Sequence, residues 1–216
     1  MKVNEIFLSI DGEGIRTGMP TTFIRLFGCN LRCSYCDTMY SCEVQDGEVP
    51  YKEMSVEEIL DMCNDLGCTN ITLTGGEPLI HESVNVLIQE LVNYNYWVNV
   101  ETNGSIVPVI RHPFLFYTMD FKTESSGMSG KMSMDALNSL CKKDALKFVV
   151  GSQEDLNQAL RVLLDMKSEP QIYFSPVFGK IDPKDIVQFL IDNKLYASKV
   201  QVQLHKIIWS PMERGV

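Results

Sequence analysis

No stretch of the 216-residue sequence stays apolar over the ~20 residues that a membrane helix requires. The N-terminus, MKVNEIFLSIDGEG, puts acidic and polar residues where a secretory signal carries an unbroken apolar core and a small-residue cleavage site. A cytoplasmic protein without a membrane partner is therefore expected. Positive charge is also scarce: 19 Lys and Arg stand against 28 Asp and Glu, a formal net charge of −9, and no basic run concentrates what there is. Such a balance offers no general attraction to a phosphate backbone, so no nucleic-acid partner is expected. Low-complexity segments and internal sequence repeats are missing too. With 45% hydrophobic and 22% charged residues, the chain has the composition of an ordinary globular protein. Its length suits a single domain over 1–216 with a sizeable core.

What the chain does have is seven cysteines, an odd number. In a reducing compartment these are thiols, packing residues or metal ligands, not disulfides. Cys63, Cys68 and Cys141 lie in apolar or helical contexts and read as packing residues. The other four are crowded into Gly28 to Cys42, GCNLRCSYCDTMYSC, where Cys29, Cys33 and Cys36 are spaced C-x3-C-x2-C. A structural zinc site wants four ligands, usually as two separated pairs, and no second C-x2-C exists. Zinc completed by Cys42, in a binding module without catalysis, stays open as one alternative. The other is an iron-sulfur cube held by three cysteines, which leaves its fourth iron open to a ligand and makes Cys42 a bystander.

Apolar runs rich in Val, Ile, Phe and Tyr alternate with segments of helical period, which predicts repeated βα units and a largely parallel sheet. PTTFIRLFGC reads as the first full strand. TNITLTGG, YWVNVETNG, FLFYTMDFK, DALKFVVG and QIYFSPV follow as strands, and VQVQLHKIIW as the last. Between them lie helices over MSVEEILDMCNDLG, with a Ser55/Glu58 capping box and Gly67 as its stop, HESVNVLIQELVNYN, MSMDALNSLC, QEDLNQALRVLLDM after Ser152, and PKDIVQFLIDNK after Asp182. Val44 to Glu53 and TESSGMSGK read as loops. About six βα units are fewer than the eight that close a full barrel, so the expected fold is α/β, an incomplete TIM-like barrel. The polar clusters fall at strand ends: Cys29, Thr74 to Pro78, Glu101 to Asn103, Asp120 to Lys122, Ser175 with Pro176, and His205 with Lys206 on the last strand. That is the rim on which parallel barrels assemble their sites. His81 reads as a surface residue at a helix start.

The C-x3-C-x2-C loop with Tyr35 before its last cysteine, followed one βα unit later by Thr74-Gly75-Gly76-Glu77-Pro78, resembles the radical S-adenosylmethionine superfamily. Within it, IFLSIDGEGIRTGMPTTFIRLFGCNLRCSYCDT, TGGEP, ETNG and VQLHKIIW resemble the 7-carboxy-7-deazaguanine synthase family. The resemblance implies a 4Fe-4S cluster, S-adenosylmethionine and a magnesium ion. The implied reaction is a radical ring contraction of 6-carboxy-5,6,7,8-tetrahydropterin to 7-carboxy-7-deazaguanine. It proceeds with loss of ammonia, starts from a 5'-deoxyadenosyl radical, and lies on the route to queuosine. A flavodoxin or similar electron donor is implied as partner, and the apolar edge of an incomplete barrel suits a homodimer.

Carried over residue by residue, the resemblance makes Cys29, Cys33 and Cys36 cluster ligands and Thr38 a magnesium ligand. Tyr35, Cys36, Asp37 and Gly76 would meet the cofactor, as would Asp120, Phe121, Lys122, Ser175, Pro176 and Val177. Ile10, Asp11, Gly12, Arg25, Thr74 and Pro211 would contact the pterin. An arginine fork suits a substrate carboxylate, the Thr38 hydroxyl is a hard oxygen suited to magnesium, and the acid after Gly-Gly could orient an ammonium group. Glu13 could accept from a pterin N–H or simply solvate its loop. Asp11 stands where the family most often has glutamine, which exchanges an amide for an acceptor alone. The rival reading is a glycyl-radical enzyme activating enzyme, which shares the cysteine spacing but typically continues Cys-His-Asn where this chain has Cys-Asp-Thr.

Overall fold

The computed structural model describes residues 1–44, 47, 49–210 and 213–215. Its strands are β1 (Lys2–Ile10), β2 (Pro20–Leu26), β3 (Lys52–Glu53), β4 (Asn70–Gly75), β5 (Trp97–Thr102), β6 (Leu115–Phe121), β7 (Ala145–Val150), β8 (Gln171–Pro176) and β9 (Lys199–Val200). They form one sheet in the order β3-β1-β2-β4-β5-β6-β7-β8-β9, which ends on β3 and β9 and is not closed. From β2 to β9 every pairing is parallel, and β1 and β3 extend the sheet antiparallel. The expected partial α/β barrel is the observed fold.

Local chemistry accounts for the helices. In α1 (Val56–Leu66) the Ser55 side chain accepts from Glu58 N–H, the Glu58 carboxylate accepts from Ser55 N–H, and left-handed Gly67 ends the helix. Ser152 caps α4 (Gln153–Asp165), Ser133 caps α3 (Met134–Asn138), and Asp182 followed by Pro183 starts α5 (Pro183–Asp192). Helix α2 (Val84–Asn93) begins later than its sequence pattern, because Pro78–Ile80 forms a separate 3-10 turn first.

Strand parity divides the sheet into two chemistries. Ile24 and Leu26, Ile71 and Leu73, Val98 and Val100, and Leu146, Phe148 and Val150 all lie in the apolar core. On the alternate positions Arg25, Thr74, Glu101, Asp120 and Lys147 line a cavity instead. Each fully buried Leu or Ile on the outer face stabilises the fold by roughly 2 kcal/mol, and this lets the inner face be polar.

Several expectations need correction. KVNEIFLSI is a full strand paired with β2, joined to it by Asp11–Met19 instead of a tight turn, so no short-range hairpin signal marked it. VQVQLHKIIW is not a strand: only Lys199 and Val200 pair with β8, and α6 (His205–Ile208) follows. Its alternating polar positions serve the N-terminal loop, with Gly14 N–H donating to Gln201 and Leu204 N–H donating to the Gly12 carbonyl. The segment expected as a loop before α1 contains β3, and TESSGMSGK winds into two 3-10 turns. Cys63 and Cys68 are buried and half-buried, but Cys141 is exposed. His81 is half-buried, not a surface residue.

Glu77 is the largest reversal. It is fully buried away from the cavity and accepts from Leu79 N–H at 3.0 Å, the Thr102 hydroxyl at 2.8 Å and Asn103 N–H at 2.6 Å. Burial pushes its carboxyl up to about 7, against the pull of those three donors. Its role is to bolt the ends of β4 and β5 together, not to meet an ammonium group. Glu77→Ala strands three buried donors and is expected to cost about 3 kcal/mol. Anaerobic chemical denaturation measures this, and a loss under about 1 kcal/mol contradicts the assignment.

Candidate active site

The cavity on the inner face has a volume of about 610 Å³, within the range of small-molecule sites. One wall is the cysteine loop. Cys29, Cys33 and Cys36 all reach the cavity, with Tyr35, Asp37 and Thr38 between and beside them. Gly76 lets β4 end directly under this loop: a Cβ there would stand 2.2 Å from the Gly28 carbonyl oxygen and 2.8 Å from the Cys29 Cβ. The glycine is therefore required by the protein's own packing, independently of any ligand.

The thiols differ in character. Cys29 accepts from Leu31 N–H at 3.4 Å and from the Asn103 amide at 3.8 Å, and Cys36 lies 3.8 Å from the Thr38 hydroxyl. Hydrogen bonds from Cys42, followed by these other donors, pull Cys29 and Cys36 down to about 6 despite burial. Burial pushes Cys33 up. Cys42 is itself buried, with its sulfur 4.0 Å from that of Cys36, and donating to its neighbours raises it. It is a close sulfur neighbour of Cys36, and its thiol also donates to the Thr38 carbonyl at 3.5 Å. Three half-buried thiols on one loop that reach the cavity, two of them pulled down by hydrogen-bond donors, fit an iron-sulfur cluster.

The rest of the cavity is a charge network. Lys147 Nζ lies 3.0 Å from Glu13 Oε2 and 3.1 Å from Asp120 Oδ1, and Lys122 Nζ lies 3.0 Å from Asp120 Oδ2. Burial disfavours both ammonium ions, but the surrounding negative groups together outweigh it and raise both, Asp120 leading at each and Glu13 with Glu101 adding at Lys147. The Ser175 hydroxyl donates to Glu13 at 2.7 Å, and the Thr74 hydroxyl donates to Glu101 at 2.9 Å. Arg25 is held through Nε by Glu5 at 2.6 Å. Burial opposes ionisation of Asp37, yet the Lys206 ammonium at 2.7 Å outweighs it and holds the carboxyl below its usual range. That contact ties α6 to the cysteine loop. His205 lies against Gly12, where a Cβ would come within 2.0 Å of its Nδ1.

Of the residues expected in the site, Ile10, Asp11, Gly12, Arg25, Thr74, Asp120, Lys122, Pro176 and Val177 join the cysteine loop and Gly76 around this one cavity. Phe121 does not, because its ring lies in the core 5.7 Å from Phe148. Ser175 is buried behind the wall and acts on Glu13. Asp11 reaches the cavity with both carboxylate oxygens already taken, one by Arg16 Nε at 2.9 Å and one by the Thr72 hydroxyl at 2.7 Å. Its carboxylate is held in an internal ion pair with Arg16. Pro211 lies outside the described residues. Sequence reasoning missed Lys147 and Arg16. A charge inside the apolar run ALKFVV was the available signal for Lys147, as it was for Arg25 in FIRLF.

Residues 23–112 match the Radical SAM superfamily. Over its whole length the chain is 43% identical to the 7-carboxy-7-deazaguanine synthase of Clostridium acetobutylicum, covering 99% of that protein. The chain belongs to the 7-carboxy-7-deazaguanine synthase family. Its relative of that name from Methanospirillum hungatei is 38% identical over 98% of this chain and 86% of its own length. The crystal structure of QueE from Escherichia coli matches with a TM-score of 0.76, covering 94% of this chain and 93% of that one at 24% identity, which speaks for the fold. Membership of the 7-carboxy-7-deazaguanine synthase family disfavours the activating-enzyme alternative. It also implies a 4Fe-4S cluster and S-adenosylmethionine as cofactors. If Cys42 is a neighbour of the cluster and not a ligand, Cys42→Ala still takes up four irons per chain on anaerobic reconstitution. Loss of iron from that variant would make Cys42 the fourth ligand.

Proposed function

We propose that the protein is a radical carbon-nitrogen lyase. It converts 6-carboxy-5,6,7,8-tetrahydropterin to 7-carboxy-7-deazaguanine with loss of ammonia, the deazapurine precursor of queuosine. The observation that supports this reading is that Cys29, Cys33 and Cys36 line the same cavity as Gly12, Glu13 and Arg25. The cluster and S-adenosylmethionine, when bound, supply a carbon-centred radical that takes a hydrogen atom from the substrate. Tyr35, Asp37, Gly76, Asp120 and Lys122 would hold the cofactor, with Pro176 and Val177 closing its apolar side. The Arg25 guanidinium would bind the substrate carboxylate, and the Ile10–Glu13 turn would support the pterin ring. Glu13, held between Lys147 and Ser175, would accept from a pterin N–H.

Thr38 would place its hydroxyl on a magnesium ion shared with substrate, since magnesium takes one or two protein oxygens and fills the rest with water and ligand. No helix among the described residues is long and apolar enough to cross a membrane. A cytoplasmic homodimer reduced by a flavodoxin or similar donor is part of the same proposal.

The test is anaerobic reconstitution with iron and sulfide, followed by reductant, S-adenosylmethionine, magnesium and the carboxytetrahydropterin. Deazaguanine product is expected, and its absence from a fully loaded enzyme would sink the assignment. Thr38→Ala should lose most of the magnesium stimulation while retaining its iron, and an unchanged magnesium dependence would remove Thr38 from the metal site.

A further inference from the structure

Below the charge network, at the N-terminal ends of the strands, an arginine is buried in the barrel lumen. Arg16 is 1% exposed, and its guanidinium meets five acceptors on four segments. Nε donates to Asp11 at 2.9 Å, Nη1 to the Trp97 carbonyl at 2.6 Å, and Nη2 to the Ile71 carbonyl at 2.8 Å and the Thr72 hydroxyl at 2.8 Å, with Thr21 at 3.3 Å. The Trp97 and Phe116 rings lie 5.5 and 5.3 Å from its central carbon. One side chain thus ties together the beginnings of β2, β4, β5 and β6, with cation–π contacts added to charged hydrogen bonds.

The loop that carries Arg16 leaves β1 and returns to β2, and Asp11 closes it. Asp11 N–H donates to the Met19 carbonyl at 2.9 Å, and Gly18 N–H donates to the Asp11 carbonyl at 2.8 Å. Every polar group of Asp11 is therefore engaged inside the protein, yet the residue forms part of the cavity floor, next to Gly12 and Glu13. An aspartate at this place without a cation beneath it would be a buried, unpaired charge facing an anionic substrate. Burial does act that way on both partners, pushing Asp11 up and Arg16 down, and each is offset by the other.

We propose that Arg16 is a positioning residue for the pterin half of the site: through its five contacts and its pairing with Asp11 it fixes the Ile10–Glu13 turn as a rigid, charge-neutral floor. Asp11 then serves substrate recognition through Arg16 and not as a ligand. The inference rests on the proposed pterin substrate. The cysteine loop shares no hydrogen bond with Arg16 or Asp11 among the described residues, so cofactor binding should be indifferent to the pair.

The experiment measures two dissociation constants on anaerobically reconstituted, unreduced enzyme: S-adenosylmethionine alone, then carboxytetrahydropterin in its presence. For Arg16→Met, pterin binding is expected to weaken at least tenfold and KM to rise accordingly, with cofactor binding within twofold of wild type. Asp11→Asn/Arg16→Met removes both charges and should regain at least threefold of the lost affinity. Should Arg16→Met fail to take up iron, Asp11→Asn, which keeps the side-chain volume, is expected to weaken the pterin threefold or more without moving the cofactor. Unchanged pterin affinity, an equal loss for both ligands, or a double variant no better than the single one overturns the role of Arg16. Wild-type enzyme that binds S-adenosylmethionine but no pterin would instead overturn the functional reading on which the inference stands.

Discussion

An ammonium group buried in a barrel must be paired, and Lys147 is such a group. It sits in the middle of β7, 7% exposed, with Leu146 and Phe148 in the core on either side of it in sequence. Leaving a buried charge without partners costs on the order of 3–5 kcal/mol. Two carboxylates from different parts of the chain meet the requirement: Asp120 from the neighbouring strand β6, and Glu13 from the loop between β1 and β2. Because Glu13 is one of them, the N-terminal loop has to lie inside the lumen. Because Asp120 is the other, Lys122 is drawn into the same network. The single cation thereby joins the side of the cavity proposed for the pterin to the side proposed for the cofactor.

Around that pair the lumen is organised in two layers, as barrel interiors commonly are. The lower layer consists of Arg16, Asp11, Thr21 and Thr72 and is fully occupied by protein groups bonded to one another. The upper layer, with Arg25, Thr74, Glu101, Asp120 and Lys147, opens onto the cavity and the cysteine loop. A closed lower layer gives the upper one a rigid base, and preorganised groups of this kind are what a radical reaction needs to exclude water and hold its substrate still.

Much of this could be read from the sequence, and the parts that could are local. Ser55 with Glu58, Ser152, and Asp182 with Pro183 marked helix starts because caps act within one turn. The parallel strands from PTTFIRLFGC to QIYFSPV were legible because their outer positions are apolar and bounded by turns. The cysteine spacing and TGGEP carried the superfamily, and Cys-Asp-Thr the family within it. What escaped depends on contacts far apart in sequence. VQVQL alternates like a strand but bonds the N-terminal loop; the Glu77 carboxylate points to Thr102 and Asn103, which only the sheet brings near; Arg16 had no pattern at all, since its acceptors come from four segments. Cys42 was read as separate because spacing along the chain does not reveal that its sulfur turns back to Cys36.

The central claim is that Lys147 couples the two halves of the cavity, and the direct test is calorimetric titration of anaerobically reconstituted Lys147→Met with S-adenosylmethionine and with the carboxytetrahydropterin. With iron content and helical signal as in wild type, both affinities are predicted to fall at least tenfold, since Glu13 and Asp120 lose their shared cation together. A fall in only one affinity, or in neither, would contradict the account.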